Sequence, residues 1–335
     1  MDFRFTDEQR ELANLCAQIA EIGAPKSVDG DPEALDLAPL VDTGLLSLLV
    51  PESRGGGGAT LVEGAILGEQ LGRYLAPSVV VTSALLVPAA LELVQSAVVR
   101  DELTDELVSG RPGSIVVRND LSWPPGEDNL VYGWHADAFV LAPESDGLAP
   151  WAGGDLTGHP TEDPGLLVAP ISTPALATEV VRSPAAQRFV ATANVLISSV
   201  LLGHMEAVLD RAVAYANERE QFGVKIGSFQ AIKHLCADMF VDVEGSRSAV
   251  FGAAAIAAST DELDEASRAA AVAKAWCGDA AIRVCEGSIQ VHGGIGFTWE
   301  CDVHRYLRAA HVLRASFMTV DDALDLVGGV DHGPS

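Results

Sequence analysis

Apolar residues recur along this chain at two different periods, and the places where the period changes divide the sequence. Thr6-Asp7-Glu8-Gln9 carries a helix-start signature, with Thr6 as cap and Gln9 reaching back from the third helical position. Leu12, Leu15, Cys16, Ile19 and Ala20 then repeat at helical spacing. Apolar positions from Leu37 to Leu49 predict a second helix around Gly44, stopped by Pro51. Glu52-Ser53-Arg54-Gly55-Gly56-Gly57-Gly58 reads as a flexible loop, after which Val62 to Leu75 resumes the helical period. Val80 to Val94 predicts a helix kinked or broken near Pro88, and Asp101 to Val108 another.

Between residues 110 and 182 the period shortens. Pro and Gly become frequent, and Ser114–Val117, Ala138–Leu141 and Leu166–Ala169 read as β-type runs. Beyond Pro184 the helical period returns, over Val195 to Arg219, Phe229 to Ala258, Asp264 to Gln290 and Val303 to Val327. Ala253, Ala254 and Ala257, with Ala269, Ala270 and Ala273, make small faces that let helices approach closely, as in a four-helix bundle. The expected fold is mainly α with a small β-domain: an all-helical domain over 1–109, a reduced β-domain over 110–183, and a helical bundle with its tail over 184–335.

Composition narrows the chemistry. With 48% hydrophobic and 20% charged residues, the 335-residue chain reads as a soluble globular protein with a large core. No uninterrupted apolar run reaches membrane-span length, and the N-terminus is charged and helix-like rather than a secretory leader, so no membrane is expected. Five cysteines without a C-x-x-C pair fit a reducing, cytoplasmic setting. A formal charge of −26 argues against nucleic acid or anionic lipid as partner. The same charge either aids solubility or obliges any coenzyme A phosphate to find a local cationic pocket. His and Cys do not fall at metal-ligand spacings, and there is no Ser-His-Asp hydrolase context. Gly55–Gly58 lacks the Lys-Ser/Thr of a phosphate loop and reads as a connector.

Two stretches carry candidate chemistry. Gln290-Val291-His292-Gly293-Gly294-Ile295-Gly296-Phe297 closes one long helix in a Gly-rich turn whose bare N–H groups let a pyrophosphate approach. The Gln290 amide suits a ribose or base edge; taken alone, Gly293-Gly294 also reads as a plain helix C-cap. Upstream lie Arg219-Glu220-Gln221-Phe222-Gly223 and Ile226-Gly227-Ser228-Phe229-Gln230. Together, in this order, these resemble the C-terminal domain of the acyl-CoA dehydrogenase flavoproteins, which carry R-x-x-F-G-x-x-I-x-x-F-Q and then Q-x-x-G-G-x-G-[FY]-x-x-E. Val50-Pro51-Glu52 before the glycines resembles that family's V-P-E-x-x-G-G loop.

The resemblance implies FAD, and α,β-dehydrogenation of an acyl-CoA: a carboxylate takes the α-proton while hydride leaves for the flavin. It also brings departures. Counted from Gln290, the usual catalytic glutamate falls on Phe317; the alternative position, aligned through Gly203, falls on Ala193. No catalytic residue is therefore expected. The strand motifs that hold the flavin ring are represented only by Val117-Arg118-Asn119-Asp120 and by Gly133-Trp134-His135 running straight into Ala136-Asp137-Ala138-Phe139. Trp134 suits flavin stacking or plain half-buried packing. What remains resembles contacts that the family makes to a neighbour's FAD: Arg219, Gln221, Phe222, Gln290, Gly293 and Gly294. The implied protein is a subunit that shares FAD with a catalytic partner, as in bacterial α2β2 steroid- and lipid-degrading dehydrogenases, which bind the acyl-CoA mainly through that partner and pass electrons to an acceptor. A homomeric dehydrogenase with a displaced base, or a flavin-free structural subunit, are the alternatives. The stripe Arg305, Arg308 and His311, flanked by His304 and Arg314, reads as a subunit contact or as a coenzyme A site.

Overall fold

The computed structural model describes residues 5–22, 36–126, 128–144, 146–161, 163 and 165–329. Helix α1 spans Asp7–Ile22, with the reciprocal Thr6–Gln9 cap in place. The second helical stretch is shorter than its apolar pattern suggests. Helix α2 covers Ala38–Asp42 and stops where Gly44 turns to φ +73, leaving 45–50 to pack as turns. The glycine segment is not a free loop. A single 3-10 turn at Glu52–Arg54 leads into a backbone ladder in which Gly57 and Gly58 donate to Ser47 and Val50, at 3.0 and 2.8 Å. Thr60 and Glu63 form a capping box for α3, Leu61–Arg73.

A bent helical segment follows: α4 at Ser78–Val81, a π-turn at Thr82–Leu86, then α5 at Val87–Ala90. Pro88 has no N–H to return to the preceding turn, so the ladder widens there. Helix α6, Ala97–Val108, begins at the Ser96 cap, earlier than expected.

Strands β1 Gly113–Arg118, β2 Asp128–Tyr132, β3 Phe139–Glu144, β4 Gly147–Pro150, β5 His159–Pro160 and β6 Leu167–Ser172 form one mixed sheet, ordered β4-β3-β1-β2-β6-β5. Only β1 and β3 pair in parallel. Alternation sends Ile115, Val117, Tyr132 and Leu141 into the main core. Val116, Val131, Val140, Ala142, Ala169 and Ile171 form a second cluster on the other face, packed by Trp134, Trp151 and Leu156. Trp134 is thus a half-buried packing residue.

Short α7, Thr178–Val181, leads to α8, Pro184–Glu218, capped by Ser183. Helix α9 spans Gln230–Ser259 and α10 spans Leu263–His292. The last helix predicted as continuous is broken into α11, Val303–Ala315, and α12, Val320–Gly328, by Phe317 at φ +65. Between α8 and α9 runs a tight hairpin, β7 Glu220–Gln221 and β8 Val224–Lys225, turned by Phe222 and Gly223 at φ +55 and +80.

Helix α8 is the axis of the molecule. Contrary to the expectation from uninterrupted runs, it holds a window long and apolar enough to cross a membrane, because its Ser, Thr, Asn and His residues are few and uncharged. Its neighbours bury 89% of that window, as befits a core helix. Helix α3 lies almost in backbone contact with it. A Cβ on Gly203 would sit 1.9 Å from the Glu69 carbonyl oxygen, and one on Gly72 would sit 2.1 Å from that of Val200.

Candidate functional site

Helices α8 and α10 run in the same direction. Ser288 Oγ donates to the Val208 carbonyl at 2.9 Å, and further along both helices Tyr215 stacks on His292 with centroids 4.6 Å apart. Both helices therefore end together, and this parallel pairing brings the two sequence motifs to one end of the bundle. Arg219 caps α8 through its backbone N–H on Tyr215. Among the described residues its guanidinium has no hydrogen bond or ion pair, so the local pairing with Glu218 or Glu220 that its helix-end position invites is not made. Gln221, Gln290, Gly293 and Gly294 are exposed around it. Phe222 is 94% exposed, with its ring edge-on to Phe229 at 6.3 Å. Gly293 sits at φ +64, and an added Cβ at Gly293 or Gly294 would meet nothing. Six residues from two distant stretches are thus exposed at one bundle end, with a cation and the amides of Gln221 and Gln290. Contrary to the expectation of bare N–H groups, the Gly293 N–H is spent on the Ile289 carbonyl as the cap of α10.

The cleft between the sheet and the bundle is different. Phe317 is 1% exposed, and the segment after β1 is laced over it: Phe317 N donates to Leu121 O at 2.8 Å and Trp123 N donates to Phe317 O at 3.0 Å. Its ring lies 5.9 Å from Tyr132 and 6.0 Å from Phe189, both edge-on, and Trp123 meets Phe189 at 4.9 Å. Ala193, one turn beyond Phe189 on α8, is 1% exposed. Behind Phe317, the fully buried Lys274 donates from Nζ to Leu313 O at 2.6 Å and Ser316 O at 2.8 Å, closing the end of α11.

The basic stripe on α11 is split between environments. Arg305 is 8% exposed and turned inward, so it is no part of a subunit contact. Arg308 stacks over Trp299 at 5.7 Å, Arg314 pairs with Asp279 at 2.8 Å, and His311 faces out. Glu300 is exposed beside the Gly-rich turn. Trp123, Phe189, Tyr132 and Lys274 were not singled out in the sequence; their partners lie too far away in the chain for any local pattern to mark them.

Comparison with known proteins decides the family. Residues 184–317 match the family model described as acyl-CoA dehydrogenase, C-terminal domain. Over 316 residues the chain is 32% identical to acyl-CoA dehydrogenase IpdE2 of Mycolicibacterium smegmatis, covering 91% of this chain and 93% of the relative. The chain belongs to the acyl-CoA dehydrogenase family. Among solved structures, the ChsE4–ChsE5 complex of Mycobacterium tuberculosis matches over 100% of both chains with TM-score 0.80 and 25% identity. The Tcur3481–Tcur3483 steroid ACAD shares the fold at TM-score 0.76 and 23% identity, over 97% of each chain. The mainly helical fold with a central mixed sheet and C-terminal helices is that of this family, whose members are FAD-dependent oxidoreductases.

An acyl-CoA dehydrogenase needs a flavin ring and a carboxylate in one cleft. In the cleft here Trp123, Phe189, Tyr132 and Phe317 pack edge-on against one another, and positions 317 and 193 carry no carboxylate. The bundle end fits part of a dinucleotide. Arg219 offers a planar, always-charged fork for phosphate oxygens, and Gln290 and Gly294 are exposed at the same bundle end.

Proposed function

We propose that this chain is the non-catalytic subunit of a heteromeric acyl-CoA dehydrogenase, with its bundle end completing a FAD site held by a catalytic partner. The observation that carries this reading is the aromatic filling around Phe317, where a catalytic member of the family needs space and a base. The open Arg219 surface supports the second half: a cationic fork without a counter-ion among the described residues is suited to a phosphate arriving from outside. In the full complex, FAD supplies the hydride acceptor for α,β-dehydrogenation of an acyl-CoA, and an electron-transfer acceptor reoxidises it. This chain's residues bind and orient; they move no proton. A steroid side-chain CoA thioester is the substrate class we carry over from the steroid ACAD among the fold neighbours.

Expression of the chain alone and with a candidate catalytic dehydrogenase subunit tests this. Alone, it is expected to purify colourless and without dehydrogenase activity; together, the pair is expected to purify yellow and active. A yellow, active homo-oligomer of this chain would overturn the proposal in favour of a homomeric enzyme with a displaced base. A yellow partner that keeps its full flavin content and activity without this chain would leave a structural subunit.

A further inference from the structure

Behind the aromatic filling, three regions of the chain meet around a cavity of about 30 Å³. The turn before and within α4 supplies Leu75, Ala76 and Val81; the sheet supplies Tyr132, Asp163 and Gly165; the bundle supplies Val200, His204, Arg305, Ala309 and Leu313. Two polar side chains here are more than nine-tenths buried, and each has one nitrogen without a hydrogen-bond partner among the described residues. Arg305 is 8% exposed with Nε unpaired, and His204 is 3% exposed with Nδ1 unpaired. Among the described residues no carboxylate lies within ion-pair distance of Arg305. We propose that this cavity binds one small monovalent anion, of the size of chloride or formate, held by Arg305 and His204 at the junction of the three regions.

The argument is one of charge and space. A guanidinium stays ionised even when buried, and an uncompensated buried charge is strongly unfavourable. A water-sized guest needs about 10–15 Å³, so the cavity admits a single small ion. A water would find polar partners here, since Ser78, Asp163, His204 and Arg305 all line the cavity beside its aliphatic half, but a neutral guest leaves the Arg305 charge uncompensated. His204 is held neutral, its pKa pushed down to about 3 by burial, so it adds a ring N–H without adding charge. The nearest counter-charge is Asp163, whose carboxylate accepts the Gly165 N–H at 2.9 Å and feels both Arg305 and Arg308. Burial pushes the Asp163 pKa up, which weakens it as a permanent counter-ion. The rival account is therefore a water bridging Arg305 to Asp163, and the two make opposite predictions for Asp163→Asn.

The full chain, alone or with its partner subunit, is melted in chloride, bromide, formate and gluconate at equal ionic strength. The expected result is a saturable rise in midpoint with chloride, bromide or formate and none with gluconate; the chloride and formate arms identify the better guest. Arg305→Gln is expected to raise the half-saturating concentration at least about tenfold, the loss of one charge-assisted contact, while Asp163→Asn lowers it by removing the competing charge. Should Arg305→Gln fail to fold, bromide-soaked crystals of the unmodified protein provide the second reading, with an anomalous peak expected between Arg305 and His204. Identical midpoints in all four salts, a rise that survives Arg305→Gln, or a bridging water without a bromide peak would each overturn the proposal.

Discussion

Two single residues express the division between a closed cleft and an open bundle end. Arg219 is exposed and its guanidinium pairs with nothing among the described residues, so replacing it costs the fold little. In the complex, Arg219→Ala is expected to weaken flavin retention by about ten- to a hundredfold, from a charge-assisted hydrogen bond of roughly 1.5–3 kcal/mol. Arg219→Lys recovers only part, because a point charge does not reproduce the fork. Flavin content after dialysis against FAD-free buffer, read beside the melting midpoint, separates this from a folding defect; full retention by Arg219→Ala would remove Arg219 from the site. Phe317 behaves in the opposite way. Phe317→Glu in the chain alone is expected to give no turnover, since a base without a positioned hydride acceptor has nothing to work with. The new carboxylate would stand among Tyr132, Phe189 and Trp123 and cost about 3 kcal/mol or more. Turnover of an acyl-CoA by that variant would mean that the cleft opens to flavin after all.

At the scale of elements, the close seat of α3 on α8 and the buried cap of α11 hold the framework. Gly203→Ala would drive a methyl to within 1.9 Å of the Glu69 carbonyl oxygen, so the helices must separate. A loss of about 1–3 kcal/mol is expected in denaturant melts, at the upper end because backbone lies on both sides. Burial pushes the Lys274 ammonium down from 10.5 to about 7. Above pH 7 the unfolded chain then holds a proton that the folded chain has shed. Stability should rise with pH from about 7 to 9, by up to about 1.4 kcal/mol per unit, and be lost as pH falls back through 7. Beyond pH 9 the thiols of Cys16 and Cys277, pushed up to about 12 by burial, add the opposite slope. Lys274→Met should flatten the rise between pH 7 and 9, and an unchanged slope would show that another group titrates there. Most of these elements were legible in the sequence. The long helices follow from unbroken period, and α1 from its Thr6–Gln9 cap, but α8 was read from Val195 and its true start at the Ser183 cap was missed. The errors fall where one backbone torsion overrides an apolar pattern, at Gly44 in α2 and at Phe317 between α11 and α12. Strand β2 escaped notice because a Pro-Pro-Gly run precedes it and its buried residues face both sides of the sheet, Val131 one way and Tyr132 the other, so no alternation marks it.

For the whole molecule, the legible part of the site was the part carried by motifs. Arg219 and Gln290 are named by their own stretches, and the parallel run of α8 and α10 then unites them. The filled cleft and the Arg305 cavity were not legible, because each is built from the bent α4–α5 segment, the sheet and the bundle together. The same scale settles what the isolated chain should do. It carries −26 formal charges, yet leaves Phe222 94%, Phe297 75%, Val241 65%, Trp299 58% and Phe240 55% exposed on and beyond the bundle. Apolar surface of that kind favours association, whereas like charge on two copies opposes it. At low salt, repulsion between copies should keep the isolated chain from pairing with itself and leave its apolar residues open to an environment-sensitive dye. Added salt screens the repulsion over about 10 Å at 0.1 M and should drive self-association. A catalytic subunit that covers the bundle end should suppress both the dye signal and the salt-driven association. Sedimentation and dye titration over a salt series, with and without that subunit, read both effects. A dye-silent dimer of this chain alone, unchanged across the series, would mean that its own copy already covers that surface, and the heteromeric reading would fall.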